Sequence, residues 1–229
     1  MLCFFWKRMW KFMAVKAILF DLDGTLLDTL DDLKDSVNHM LGAFGYPPRS
    51  REYVREAVGN GVRNLIVRSL PEGEGAERVE ECLYAFRAHY SHNLDNKTAP
   101  YPGVTDMLRA MKKQGVSAGV VSNKYDGAVA ALCEKHFGDL IQVAIGERPG
   151  FGRKPEPDSV LYALELLGAK REEAIYVGDS DVDVETARNA GLRCVAVSWG
   201  FRPRESLLAA GPDKIVDAVS VLLPAALSL

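Results

Sequence analysis

The sequence predicts an α/β fold: a parallel-sheet core, interrupted after its first strand by an all-helical insertion. Three observations carry this prediction. The run Ala17-Ile18-Leu19-Phe20 has the length and continuity of a strand buried on both faces. From residue 29 to about residue 99 only helix-period patterns occur. From residue 104 onward, short apolar runs alternate with helical stretches, as in strands joined by right-handed crossovers.

The bulk properties agree. A chain of 229 residues is long enough for a core domain with a smaller one inserted. At 48% hydrophobic and 26% charged residues, the composition is that of an ordinary globular protein. The formal net charge of -3 gives no basic footprint for nucleic acid. Cys3, Cys82, Cys133 and Cys194 are scattered without a C-x-x-C pair. They read as reduced, mostly buried thiols, and the expected location is cytoplasmic. Asn96-Lys97-Thr98 fits a glycosylation sequon, but nothing else suggests secretion. No internal repeat or low-complexity tract is present.

Residues 1–13 form an aromatic, basic extension. Its apolar stretch before Lys7 is too short for a membrane span, and its charges follow the apolar run, the reverse of a signal peptide. It reads as a tail upstream of a functional start at Met13, as an interfacial anchor, or as a contact with another subunit. No firm membrane signal results, and the sequence does not give the oligomeric state.

The first strand is expected over residues 14–20. Thr29 and Asp32 have capping-box spacing, so a helix is expected to start there, with Leu33, Val37, Met40 and Leu41 on its apolar face. Gly42, Gly45 and Pro47-Pro48 end it. Further helices are expected over 51–58, 62–70 and 76–93, the last with Val79, Leu83, Phe86 and Tyr90 on one face. After Tyr101-Pro102-Gly103 the expected order is helix 104–114, strand 116–121, helix 126–136, a short strand within 140–145 and helix 158–167. Strand 174–177, helix 182–190, strand 194–197, strand 214–216 and a last helix follow. The domain reading is therefore an extension (1–13), a core (14–28 and 100–229) and a helical cap (29–99). An insertion placed here would lie over the carboxyl edge of the sheet, where open α/β sheets bind ligands.

That edge carries the chemistry. The first strand ends in Asp21-Leu22-Asp23-Gly24-Thr25. Residues two apart in an extended chain point the same way, so the two carboxylates converge on one point. Such like charges are costly without a cation or a shared proton, which points to a hard metal such as Mg2+. A plain strand end followed by an acidic turn is the competing reading. Three later stretches bear on the choice. In Ser122-Asn123-Lys124, a hydroxyl and an amide follow an apolar strand and precede a helix, a setting suited to an anion, though Ser122 also reads as a turn residue. In Lys154-Pro155-Glu156-Pro157, two prolines stiffen a loop holding one ammonium, useful for a phosphate oxygen if Lys154 is not simply exposed. In Gly178-Asp179-Ser180-Asp181-Val182-Asp183, a strand runs into an acidic cluster. Ser180 and Asp183 have capping-box spacing, which leaves Asp179 unexplained.

Taken together, Asp21-x-Asp23-Gly24-Thr25, Ser122, Lys154-Pro155 and Gly178-Asp179-Ser180-x-x-Asp183 resemble the haloacid dehalogenase-like phosphohydrolase superfamily. The resemblance covers about residues 15–220. It is greatest to the helical-cap subgroup, which includes phosphoglycolate phosphatases and their pyrophosphatase and sugar-phosphatase relatives. The resemblance implies a Rossmann-like core and a Mg2+-dependent phosphatase acting on a small phosphorylated metabolite. Asp21 would attack phosphorus and Asp23 would serve as general acid and base. Asp21, the Asp23 main-chain carbonyl and Asp179 would hold the metal, with Asp183 orienting the metal site. Ser122, Asn123 and Lys154 would bind phosphoryl oxygens, and Thr25 would support the nucleophile loop. An acid at position 23 suits ester or anhydride hydrolysis, not dehalogenation or phosphonate cleavage. In the cap, Gly59-Asn60-Gly61-Val62-Arg63 is the expected specificity loop, with Arg63 pairing a second anionic group or lying exposed at a helix kink. The alternatives are a phosphomutase or an inorganic pyrophosphatase of the same superfamily, or a non-catalytic binding protein on this fold.

Overall fold

The structure is a computed structural model and describes residues 15–59 and 61–229. The expectations for residues 1–13, the strand start at Ala14 and the loop residue Asn60 lie outside the described residues.

Eight strands and ten α-helices are found among the described residues. Six strands form one parallel sheet: β1 (Ala17–Phe20), β4 (Ser117–Tyr125), β5 (Val143–Glu147), β6 (Ala174–Gly178), β7 (Arg193–Val197) and β8 (Lys214–Val216). Their order is β5-β4-β1-β6-β7-β8. The chain moves outward from β1 through β4 to β5, then crosses to the other side for β6, β7 and β8. Its direction reverses around β1, and the carboxyl ends of β4, β1 and β6 meet there.

Helices cover both faces: α5 (Val104–Lys113), α6 (Asp126–Phe137), α7 (Asp158–Leu167), α8 (Asp181–Ala190), α9 (Arg204–Ala210) and α10 (Val219–Leu227). Alternate β1 residues feed two different cores. Ile18 and Phe20 pack with α5 and α6, whereas Ala17 and Leu19 pack with α7 and α8. That double burial is why the strand reads as an unbroken apolar run.

The insertion comprises α1 (Leu30–Ala43), α2 (Arg51–Ala57), α3 (Val62–Ser69) and α4 (Ala76–Asn93). It has an apolar core of its own, built on Leu33, Val37, Leu65, Ile66, Leu83 and Phe86. Its entry and exit pair as a two-residue antiparallel ribbon, β2 (Leu27–Asp28) with β3 (Ala99–Pro100). The Thr29–Asp32 capping box does not form: Thr29 makes no side-chain cap bond. Asp32 instead turns to the returning chain. It accepts from the N–H groups of Asn96, Lys97 and Thr98 and from Thr98 Oγ1, at 2.8–3.0 Å. These long-range bonds satisfy four donors where a local cap would satisfy one, and they engage the sequon residues structurally.

Two strand limits and one helix differ from expectation. β4 runs to Tyr125, past a register shift after Val121, so α6 begins four residues beyond Ser122. A 3-10 turn occupies Gly138–Leu140 and delays β5 to Val143. The unexpected α9 buries only Leu207, so it carries no apolar period; Pro203 before it and Gly211 after it were its signals. Cys82, Cys133 and Cys194 are free and buried. No helix among the described residues is long and apolar enough to cross a membrane.

Candidate active site

The loops at the carboxyl ends of β1, β4 and β6, together with the β5–α7 loop, close around one cavity of about 110 Å³. Asp21, Asp23, Ser122, Asn123, Lys154 and Asp179 all line it. The opposite wall comes from the insertion and is mainly aliphatic, with Leu33, Val58, Val62 and Leu65. Such a wall lowers the local dielectric and strengthens the charge interactions beneath it.

Lys154 is the electrostatic centre. Its ammonium lies 2.9 Å from Asp21 Oδ1 and 2.7 Å from Asp183 Oδ1, and it donates to the Tyr176 hydroxyl at 3.1 Å. Burial works against its charge, but Asp183 and Asp21 outweigh burial and hold it well above its ordinary value. Asn123 explains how the loop is aimed. Its amide donates to the Lys154 carbonyl at 3.0 Å and accepts from the Lys154 N–H at 2.9 Å, clamping the main chain beneath the ammonium. Ser122, within β4, accepts from the Lys124 N–H at 3.3 Å and keeps its own O–H for the cavity.

Three buried carboxylates share the floor. Asp21, Asp179 and Asp183 each offer an oxygen within 4.8 Å of the others. Burial pushes Asp21 up to about 6, against the pull of Lys154 and with added repulsion from Asp183 and Asp23. Asp179 is pushed well above the carboxylate range, first by burial and then by Asp183 and Asp21. Asp183 has both oxygens engaged: Oδ1 by Lys154, Oδ2 by the Ser180 N–H at 3.1 Å and hydroxyl at 2.6 Å. The expected capping box at α8 is present. Asp21 Oδ1, by contrast, accepts no aligned hydrogen bond although it is buried. One ammonium among three carboxylates leaves excess negative charge, and all the free donors are hard oxygens. The set fits a hard divalent cation.

Asp179 is seated from three sides. Thr25 Oγ1 donates to it at 3.2 Å and the Phe201 N–H at 2.7 Å. Thr25 therefore braces Asp179 directly. Gly24, at φ 85°, and Gly200 bring their backbones so close that a Cβ would lie 2.4 and 2.3 Å from Asp179 Oδ2.

Arg63 does not reach the cavity. Its guanidinium pairs with Glu80 on α4 at 3.0 Å, on the exposed side of the insertion. The first turn of α3 turns Val62 and Leu65 inward, and that leaves position 63 facing out. The guanidinium that does line the cavity is Arg202, from the β7–α9 loop. It donates to the main-chain carbonyls of Arg55 and Val58, and Arg55 Nε donates back to the Phe201 carbonyl at 3.0 Å. Phe201 itself packs in the core of the insertion, so this loop joins Asp179 to the insertion.

Two further residues escaped the sequence reading. Lys124 pairs with Asp23 Oδ1 at 2.9 Å and donates to the Tyr90 hydroxyl of α4. Asp23 and Tyr90 outweigh burial and raise its pKa above the ordinary lysine value. Burial holds the Tyr90 phenol up at about 12, against the pull of Lys124.

Comparison with known proteins identifies the chain's relatives. The family described as haloacid dehalogenase-like hydrolase matches residues 18–197, most of the chain and all four acidic or basic loops. The chain belongs to the haloacid dehalogenase-like hydrolase family. It is 37% identical to phosphoglycolate phosphatase 1 of Pseudomonas aeruginosa, over 92% of this chain and 79% of that one. A protein provisionally assigned as a phosphoglycolate phosphatase from Lactobacillus delbrueckii subsp. bulgaricus superposes with a TM-score of 0.90 at 33% identity, covering 95% of this chain and 100% of that one. CbbY from Rhodobacter sphaeroides, solved in complex with phosphate, superposes at 0.74 and 28% identity, covering 94% and 100%. As a member of this hydrolase family the chain is an enzyme.

Proposed function

We propose that this haloacid dehalogenase-like enzyme is a Mg2+-dependent phosphatase for a small phosphorylated metabolite, with phosphoglycolate the first candidate. The observation that carries the reading is the division of labour between the two carboxylates that follow β1. Asp21 lies beside Lys154 on the acidic floor, and Asp23 lies beside Lys124 under the cap. The phosphoglycolate phosphatases among its relatives supply the candidate substrate.

Asp21 attacks phosphorus while the bond to the leaving oxygen breaks, and Asp23 gives that oxygen its proton. The phosphoryl group is then on Asp21. Asp23, now a carboxylate, takes a proton from the water that attacks phosphorus and releases Asp21. Ser122 and Lys154 hold the phosphoryl oxygens in both steps. Asp21, Asp179 and the Asp23 main-chain carbonyl would hold Mg2+, which would supply charge neutralisation that keeps Asp21 ionised and offsets phosphoryl charge. The small cavity and its aliphatic wall suit a compact substrate.

The test is phosphate release from a panel of phosphoglycolate, pyrophosphate, sugar phosphates and nucleotides, with Mg2+ or with chelator. Metal-dependent turnover dominated by phosphoglycolate is expected. Turnover that requires a bisphosphate primer would favour a mutase, and silence across the panel would favour a binding protein.

The raised Asp21 pKa gives a second expectation. Its folded value, about 6, exceeds its ordinary 3.8, so the folded state binds the extra proton between these values. Without metal, this group's contribution is most favourable below pH 4 and declines as pH rises through 6, by about 3 kcal/mol in all. Mg2+ relieves the repulsion where the carboxylates are ionised. Saturating Mg2+ is therefore expected to raise Tm by at least about 3 °C more at pH 7.5 than at pH 5, measured against chelated protein. An equal shift at both pH values would contradict this placement of the metal.

The arginine placements give a third. Arg63→Ala is expected to leave kcat and KM within about twofold, because its exposed pair with Glu80 is worth little. Arg202→Ala is expected to raise KM about tenfold, by removing a cavity cation and its bonds to the cap. Steady-state kinetics on the best panel substrate checks both.

A further inference from the structure

Lys124 is a buried ammonium that the scheme above does not use. It follows Ser122 by two residues on the extended strand, so both side chains reach the same cavity. It is 6% exposed, and its two charge or hydrogen-bond partners stand on different parts of the molecule. Asp23 belongs to the core and Tyr90 to the last helix of the cap. Tyr90 is itself 3% exposed and stacks on Phe86 at 5.2 Å, inside the cap core. Its hydroxyl therefore goes where the cap goes. The ammonium holds Asp23 by Oδ1, and no hydrogen bond from the described residues occupies Oδ2. One carboxyl oxygen is anchored and the other is left to carry the proton.

We propose that Lys124 is a positioning residue for Asp23, and that Tyr90 makes this positioning conditional on a seated cap. With the cap in place, the tyrosine hydroxyl fixes the ammonium and the ammonium fixes the direction of the carboxyl toward the leaving oxygen. With the cap displaced, Lys124 loses its outer anchor and Asp23 its aim. Leaving-group protonation is thereby tied to enclosure of the substrate, when bulk water no longer competes for the site. The inference rests on the reading of Asp23 as the proton donor.

The test compares kcat/KM for two esters in the full-length enzyme with Mg2+: the best alkyl phosphate of the panel, whose leaving oxygen needs a proton, and p-nitrophenyl phosphate, whose leaving group departs without one. Asp23→Asn is the reference. Asp23→Asn and Lys124→Met are each expected to lose roughly 100-fold more on the alkyl than on the aryl ester. Tyr90→Phe, nearly isosteric, is expected to lose about tenfold on the alkyl ester and less than about threefold on the aryl. Equal losses on both esters in Lys124→Met would mean a structural role and overturn the proposal. Unchanged alkyl activity in Tyr90→Phe would overturn the link to the cap. Equal losses in Asp23→Asn itself would overturn the reading of Asp23, and the inference with it.

Discussion

Asp21→Asn is expected to lower kcat by about 10⁴-fold or more while leaving the fold intact. An amide of the same shape cannot attack phosphorus, and no other described side chain stands in its place on β1. The stability side of this prediction is the less obvious half. Asp21 is buried, is pushed up to about 6 by that burial, and faces Asp179 and Asp183 across less than 4.8 Å. Removing its charge removes repulsion on the acidic floor. In chelator at pH 7.5, the variant is therefore expected to melt at or above the Tm of the parent. It should also gain less from Mg2+, having lost one ligand. Thermal melts beside initial rates check both halves. A variant that is inactive because it is unfolded would not support the assignment.

Lys154→Met is expected to be damaging in both respects. It leaves Asp21 and Asp183 buried and without the ammonium that lies 2.9 and 2.7 Å from them. Breaking a buried pair from one side costs about 3–5 kcal/mol. Loss of a cation aimed at the transferring phosphoryl group costs roughly 10²–10³-fold in kcat. The pH dependence has a definite sign. With Lys154 gone, Asp21 and Asp179 are held still higher, so the stability deficit is largest at neutral pH and shrinks on acidification as they take up protons. Urea unfolding at pH 5 and pH 7.5 measures it. A deficit that grows on acidification would contradict the arrangement.

The parts of this protein that were legible in its sequence are those governed by local rules. The unbroken apolar run of β1 marked a strand buried on both faces, and Asp21 and Asp23 followed from the two-residue period of an extended chain. The helical faces of α1 and α4 announced their buried residues directly. The parts not legible depend on contacts between distant segments. Thr29 and Asp32 have the spacing of a cap, but three backbone N–H groups more than sixty residues away compete successfully for the carboxylate. Lys124 received no role from the sequence, because nothing local reveals that β4 continues to Tyr125. Tyr90 read as one more core residue, since its ring is one; its hydroxyl has a role only because α4 lies over β4. Arg63 and Arg202 show the same limit. The sequence offered Arg63 beside two glycines, and only the packing of α3 turns it outward and leaves Arg202 to line the cavity.

The central claim is that a phosphoryl group is carried on Asp21. The most direct measurement is a rapid acid quench of enzyme, Mg2+ and radiolabelled substrate during a single turnover, followed by borohydride reduction and peptide mapping. The account predicts label on the protein during turnover, and reduction confined to Asp21 in the peptide that spans β1. Rapid phosphate release with no label on the protein at any time, or label on another residue, would contradict it.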